Sequence, residues 1–122
     1  MATFQQPLTP EERLKTRIEL KDILTDRIET LDVPEIYYSD LANLLSIPLT
    51  ADDRRLFDLL DELSEKEHSQ GRGFLSVIVI GKLTKRPGVG FFEMAERCGE
   101  NTSNREAFYQ AARQDVLDCW KA

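Results

Sequence analysis

Histidine occurs once in this sequence, at position 68, and cysteine twice, at positions 98 and 119. One His and two Cys lying 21 positions apart lack the paired-ligand spacing of a structural zinc site, so no metal is predicted. The cysteines form neither a CxxC motif nor a dense framework, and both fall on predicted apolar helix stripes, which implies reduced, packed thiols and no disulfide. His68 stands among Lys66, Glu67 and Ser69 and reads as a solvated residue. A Ser-His-Asp or Cys-His device needs a nucleophile aimed at the imidazole, and no elbow or flanking signature supplies one. The Walker pattern and the dinucleotide glycine fingerprint are both missing, so no cofactor and no catalytic residue is predicted. An enzyme ranks third among the readings, left open only for a site assembled from distant positions.

Long apolar runs are missing too. The longest strongly apolar stretch, Phe74 to Ile80, is far short of the roughly 20 residues that span a bilayer, and the opening residues carry neither the basic nor the apolar part of a signal peptide. The expectation is a cytoplasmic protein with no membrane partner. There are no repeats and no low-complexity segments.

The 122 residues are 41% hydrophobic and 31% charged, ordinary for one globular domain with its own core. Residues 1–8 show no periodicity and are predicted to be a flexible N-terminal arm, with a single domain over 9–122. The net charge of −6 is uneven: Glu11 to Gln70 hold 16 acidic against 8 basic residues, Gly71 to Ala122 only 6 against 8. A compact basic spot on an acidic body is implied.

Thr9-Pro10-Glu11-Glu12 forms a capping box, and Leu20, Leu24, Ile28 and Leu31 give the first helix its apolar stripe until Pro34. Ser39 is a plausible cap for a short helix over 40–45 with Leu41, Leu44 and Leu45 inward. Thr50-Ala51-Asp52-Asp53 caps a third helix, whose Leu56, Leu59, Leu60 and Leu63 follow the core-facing pattern to about His68, where Gly71 and Gly73 break it. Phe74 to Ile80, dense in β-branched and aromatic residues, reads as one strand covered on both faces. Gly81 to Gly90 carries turn chemistry, with Pro87-Gly88 suited to a type II turn and a short partner strand flanking it. Phe91, Met94, Ala95 and Cys98 then repeat at helical spacing, core packing being the better reading for both Phe91 and Phe92. After a capping box at Ser103 to Glu106, a last helix follows with Phe108, Ala112, Val116 and Trp120 buried.

This order gives a fold class that is mainly α with a small β-hairpin (α+β). It resembles a winged helix: a three-helix bundle plus a hairpin wing, with a C-terminal helical extension. Tyr38-Ser39-Asp40-Leu41-Ala42-Asn43-Leu44-Leu45 looks like the first helix of a helix-turn-helix pair. A weaker likeness is to the DNA-binding domain of alkylguanine alkyltransferases, whose Pro-Cys-His-Arg motif is replaced here by Leu75-Ser76-Val77-Ile78, so alkyl transfer does not carry over.

The candidate site is the basic turn. Lys82, Lys85 and Arg86, with Arg72 upstream, precede any acidic residue of the second half, and Gly88 and Gly90 can expose successive N–H groups at a helix start, a combination suited to anions. The bland alternative is a polar turn whose glycines serve shape alone. Asp52 to Gln70 carry a balance of −4, the pattern of a solvated helix face that repels phosphate, which leaves Arg54 and Arg55 as the residues there able to touch a duplex. The leading expectation is a non-catalytic binding module contacting nucleic acid or another phosphorylated partner through the basic hairpin. Nearly level with it stands a protein-interaction or assembly domain, homo-oligomeric or with a protein partner, that binds no nucleic acid.

Overall fold

The computed structural model describes residues 6–121, so residues 1–5 of the predicted arm lie outside it. The order is α1 (Pro10–Thr30), β1 (Ile36–Tyr37), α2 (Tyr38–Leu44), α3 (Arg54–Ser69), a 3-10 turn (Leu75–Ile78), β2 (Val79–Ile80), α4 (Val89–Arg97) and α5 (Arg105–Trp120). No helix among the described residues is long and apolar enough to cross a membrane.

Helix starts follow local chemistry. Thr9 and Glu12 complete the capping box of α1, Asp53 accepts from Arg55 N–H at the start of α3, and Asn104 accepts from Ala107 N–H at the start of α5. Three local expectations fail. The Glu106 side chain that was to close the last box reaches Arg86 instead. Helix α2 begins at Tyr38 without a side-chain cap, so Ser39 is already inside it. Leu31 and Leu44, one at a helix end and one at the rim of α2, are exposed.

The core unites Leu20, Leu24 and Ile28 of α1, Leu41 of α2, Leu56, Leu59, Leu60 and Leu63 of α3, Met94 of α4 and Val116 of α5 around residues 74–80. All seven residues of that segment are buried. Complete burial removes the pattern that separates strand from helix, and the segment is not one strand. Leu75–Ile78 wind as a 3-10 turn, because the Ser64 hydroxyl on the buried face of α3 accepts the Ser76 N–H at 2.9 Å and meets the Ser76 hydroxyl at 2.6 Å. Only Val79–Ile80 are extended, and they pair in parallel with Ile36–Tyr37. The predicted β-hairpin is therefore corrected: parallel strands far apart in sequence need a crossover, and the turn after β2 leads into α4 rather than into a partner strand. The coarser class stands, mainly helical with a small sheet.

Two corners are set by single residues. Gly73 has φ 83° and lies so close to α5 that a Cβ would come within 3.0 Å of Val116 Cγ2. Glu67, 1% exposed, lies between Lys21 at 2.9 Å and Arg72. Burial opposes its charge, but the bonds from Arg72 and Lys21 outweigh burial and hold the carboxyl below the usual glutamate range. Cys119 is exposed, against expectation, because its helix turns only Tyr109, Ala112 and Val116 fully inward; Cys98 is half-buried, and burial pushes its thiol up. His68 is less solvated than expected, stacking on Phe74 with centroids 4.1 Å apart.

Candidate functional site

The basic turn is built by its own hydrogen bonds. Gly81 N–H donates to Arg86 C=O at 3.1 Å, Lys85 N–H returns to Gly81 C=O at 3.0 Å, and Thr84 Oγ1 bonds Arg86 N–H at 3.2 Å. The residue taking the left-handed conformation is Lys85, at φ 56°, and not a glycine. Gly88 has φ −69°, so the type II turn expected at Pro87-Gly88 does not form. Gly88 N–H is already taken by the Tyr38 hydroxyl at 3.0 Å, and Gly90 lies inside α4. The paired N–H groups expected to cradle an anion are thus not both available.

The predicted cations are also dispersed. Arg72 sits at the far corner on Glu67, with its carbonyl accepting from Trp120 Nε1 at 3.2 Å, and takes no part in the turn. Arg86 forms a two-bond fork with Glu106 at 2.7 and 2.8 Å, its guanidinium 4.5 Å above the Tyr109 ring. That guanidinium, helped by Gln110, draws the Glu106 carboxyl down to about 2. Lys82 and Lys85 have no carboxylate partner among the described residues, and both lie over the Tyr37 ring, at 5.8 and 4.4 Å, with the Lys85 ammonium donating to the Tyr37 hydroxyl. On α3, Arg55 folds back onto Asp53 at 2.8 Å and onto the Gln6 carbonyl at 2.9 Å. That bond holds the buried Asp53 carboxyl below the usual range despite desolvation. Arg54 is exposed. Of the eight predicted site residues the structure brings Lys82, Lys85, Arg86 and Gly88 to one turn, and leaves Arg72 and Arg55 committed elsewhere.

Clefts flank this turn. The first, about 750 Å³, is lined by Lys85 and Arg86, the rings of Tyr37 and Tyr109, and the apolar Val33 and Leu44 at its lip. Arg27 closes one end, spending its donors on the Pro34 and Glu35 carbonyls at 2.8 and 2.9 Å. The second, about 480 Å³, runs between α3 and α4. Its floor is Tyr38, Phe57, Leu60 and Phe91, and its rim carries Val89, Asp58, Asp61, Glu93, Arg54 and Arg97. Tyr38 and Phe57 meet edge to face at 5.7 Å. Asp61 is the perturbed group here: burial raises its carboxyl to about 6, Arg97 opposes the rise, and Glu65, Asp58 and Glu93 add to it.

Sequence reasoning did not single out Tyr37, Tyr38, Tyr109 or Phe57. The one available signal was the pair of adjacent tyrosines at the junction of β1 and α2, Tyr37 ending the strand and Tyr38 opening the helix, which line two different clefts. Among the described residues no group of three or more His, Cys, Asp or Glu side chains is placed to hold a metal ion. Compared with models of known protein families, with curated proteins and with solved structures, the chain matches none.

Proposed function

We propose that this chain is a non-catalytic protein-interaction module that binds no nucleic acid. The observation that carries the reading is the internal neutralisation of the basic patch: Arg86 is spent on Glu106, Arg72 on Glu67 and Arg55 on Asp53, which leaves Lys82 and Lys85 of the turn, and Arg54 on α3, without a carboxylate partner among the described residues. Each phosphate contact contributes a salt slope of about −0.9 on duplex DNA, so two lysines supply about half the electrostatic attraction of the four cations expected. They must do so on a body of net charge −6. What the surface offers in their place is two clefts in which aromatic and apolar side chains are mixed with charged ones, the composition of peptide-docking surfaces. The reading keeps the three helices before the turn from the winged-helix likeness and drops the wing.

The test is fluorescence anisotropy with generic duplex DNA and single-stranded RNA across a salt series. The module reading expects no binding in the usual non-specific range of about 10⁻⁴ to 10⁻⁶ M at physiological salt. Binding inside that range, with a salt slope that flattens in the Lys82→Ala/Lys85→Ala/Arg86→Ala chain, would overturn it.

A further inference from the structure

The tip of the 81–88 turn carries an apolar side chain with nothing covering it: Leu83 is 99% exposed and lies between Lys82 and Lys85. A leucine held that far out in water forfeits the whole gain of burial, and the turn that presents it is ordered by its own hydrogen bonds. Beyond Gly88, on the other side of the turn, lies the α3–α4 groove, whose apolar surface includes Phe57, 38% exposed, and Val89, 54% exposed. Its rim is acidic. Arg97 stands 3.6 Å from Asp61 and 3.7 Å from Glu65 and is shared between them, while Asp58 and Glu93 have no cationic partner among the described residues. Even with Arg54 at one end, three rim carboxylates face two guanidinium groups. Burial raises the Asp61 carboxyl, and the neighbouring carboxylates add to the rise.

Tip and groove are complementary in both properties, an apolar side chain flanked by ammonium groups and an apolar floor flanked by carboxylates. In the structure the tip does not occupy its own groove: Leu83 is 99% exposed and Lys85 is turned to Tyr37, on the side of the first cleft, a bond it must exchange for the carboxylates of a partner's groove. Resting on the module reading above, we propose that the Lys82–Lys85 tip of one copy seats in the α3–α4 groove of a second copy. Leu83 then lies against Phe57 and Val89, and the lysines lie against Asp58, Asp61 and Glu93. Because tip and groove adjoin at Gly88, each copy offers both halves at one place. A reciprocal exchange about a two-fold axis fills both seats at once, and the proposal is that closed dimer. The net −6 of each copy opposes approach, which places the association at the weak end.

Sedimentation velocity of the full chain from about 1 µM to 1 mM tests the proposal. A monomer–dimer equilibrium is expected in that range, and Leu83→Ser should raise the dimer dissociation constant about tenfold or more. A charge exchange gives the specific readout. Lys82→Glu/Lys85→Glu chains and Asp58→Lys/Glu93→Lys chains should each be monomeric alone and dimerise when mixed, since both seats are then oppositely charged again. All four positions are exposed, so circular dichroism and melting should show these variants folded. The proposal is overturned by a chain that stays monomeric to about 1 mM, or by a dimer indifferent to Leu83→Ser. It is overturned equally if the chain stays monomeric while its groove binds a Lys82–Lys85 peptide, which would assign the groove to a foreign segment of that chemistry. The nucleic-acid titration is independent, so a failed dimer and a failed module reading give different results.

Discussion

Residues 74–80 and 82–85 are separated by one glycine, and their environments are opposite. The first segment is buried throughout, and its neighbours decide its conformation: Ser64 of α3 binds Ser76 and turns what reads as a strand into a 3-10 turn. The second segment is exposed throughout, and bonds to the residues that flank it, Gly81 and Arg86, hold its shape, with the positive φ at Lys85. Composition suits each to its place, but neither conformation follows from it: the buried run reads as a strand, and the left-handed residue of the turn is Lys85 and not a glycine. The buried segment joins α1, α3 and α5 and carries stability; the exposed one contributes little to the fold and is free to meet a partner.

The largest effect should come from the buried side of this contrast. Leu60→Ala, at a 3% exposed position in the core, should cost roughly 2 to 5 kcal/mol in urea unfolding. A loss below about 0.5 kcal/mol, the size of a surface change, would contradict the core assignment. Next, Ser64→Ala leaves the Ser76 N–H buried without an acceptor and should cost about 1 to 3 kcal/mol, although on sequence alone it is a conservative change in a helix. A neutral result would mean that the 3-10 turn does not depend on that hydroxyl.

Asp61 offers a smaller, pH-dependent test. Its folded carboxyl titrates near 6 against an ordinary 3.8, so the folded chain binds more protons than the unfolded chain between those values. The Asp61 contribution is therefore most favourable below about 3.8 and is lost as pH rises through about 6. Asp61→Asn should raise stability on the order of 1 kcal/mol at pH 7.5, with the gain vanishing near pH 4. A gain that is the same at both pH values would show that charge is not its source. Smallest of all, Leu83→Ser should change monomer stability by less than about 0.5 kcal/mol, since the side chain touches nothing. A larger loss would mean that the turn tip is packed.

Helical stripes were the legible part of the sequence. Leu20, Leu24 and Ile28, and Leu56, Leu59, Leu60 and Leu63, lie inward as their spacing requires, and the caps at Thr9 and Asp53 follow from side-chain chemistry within one turn. The sheet was not legible, because a run buried on every side has no period and the partner strand is two residues long and far away in sequence. The candidate site was half legible. Lys82, Lys85 and Arg86 do share a turn, but closeness in sequence said nothing about Glu106 and Glu67, which neutralise two of the four cations from other helices. Cys119 failed for a related reason: a stripe predicts a face, and this helix lies on the core only through Tyr109, Ala112 and Val116.

The contrast between the two segments is tested most directly by native-state hydrogen exchange across residues 74–86 on a dilute, monomeric sample. The amides of Val77 and Val79, bonded to the Phe74 and Ser76 carbonyls inside the core, should exchange only as slowly as global unfolding allows. Those of Lys82, Leu83 and Thr84, exposed and without a partner in the turn, should exchange near the rate of an unstructured chain. Equal protection of the two segments, in either direction, would contradict the division of the chain into a buried organiser and an exposed tip.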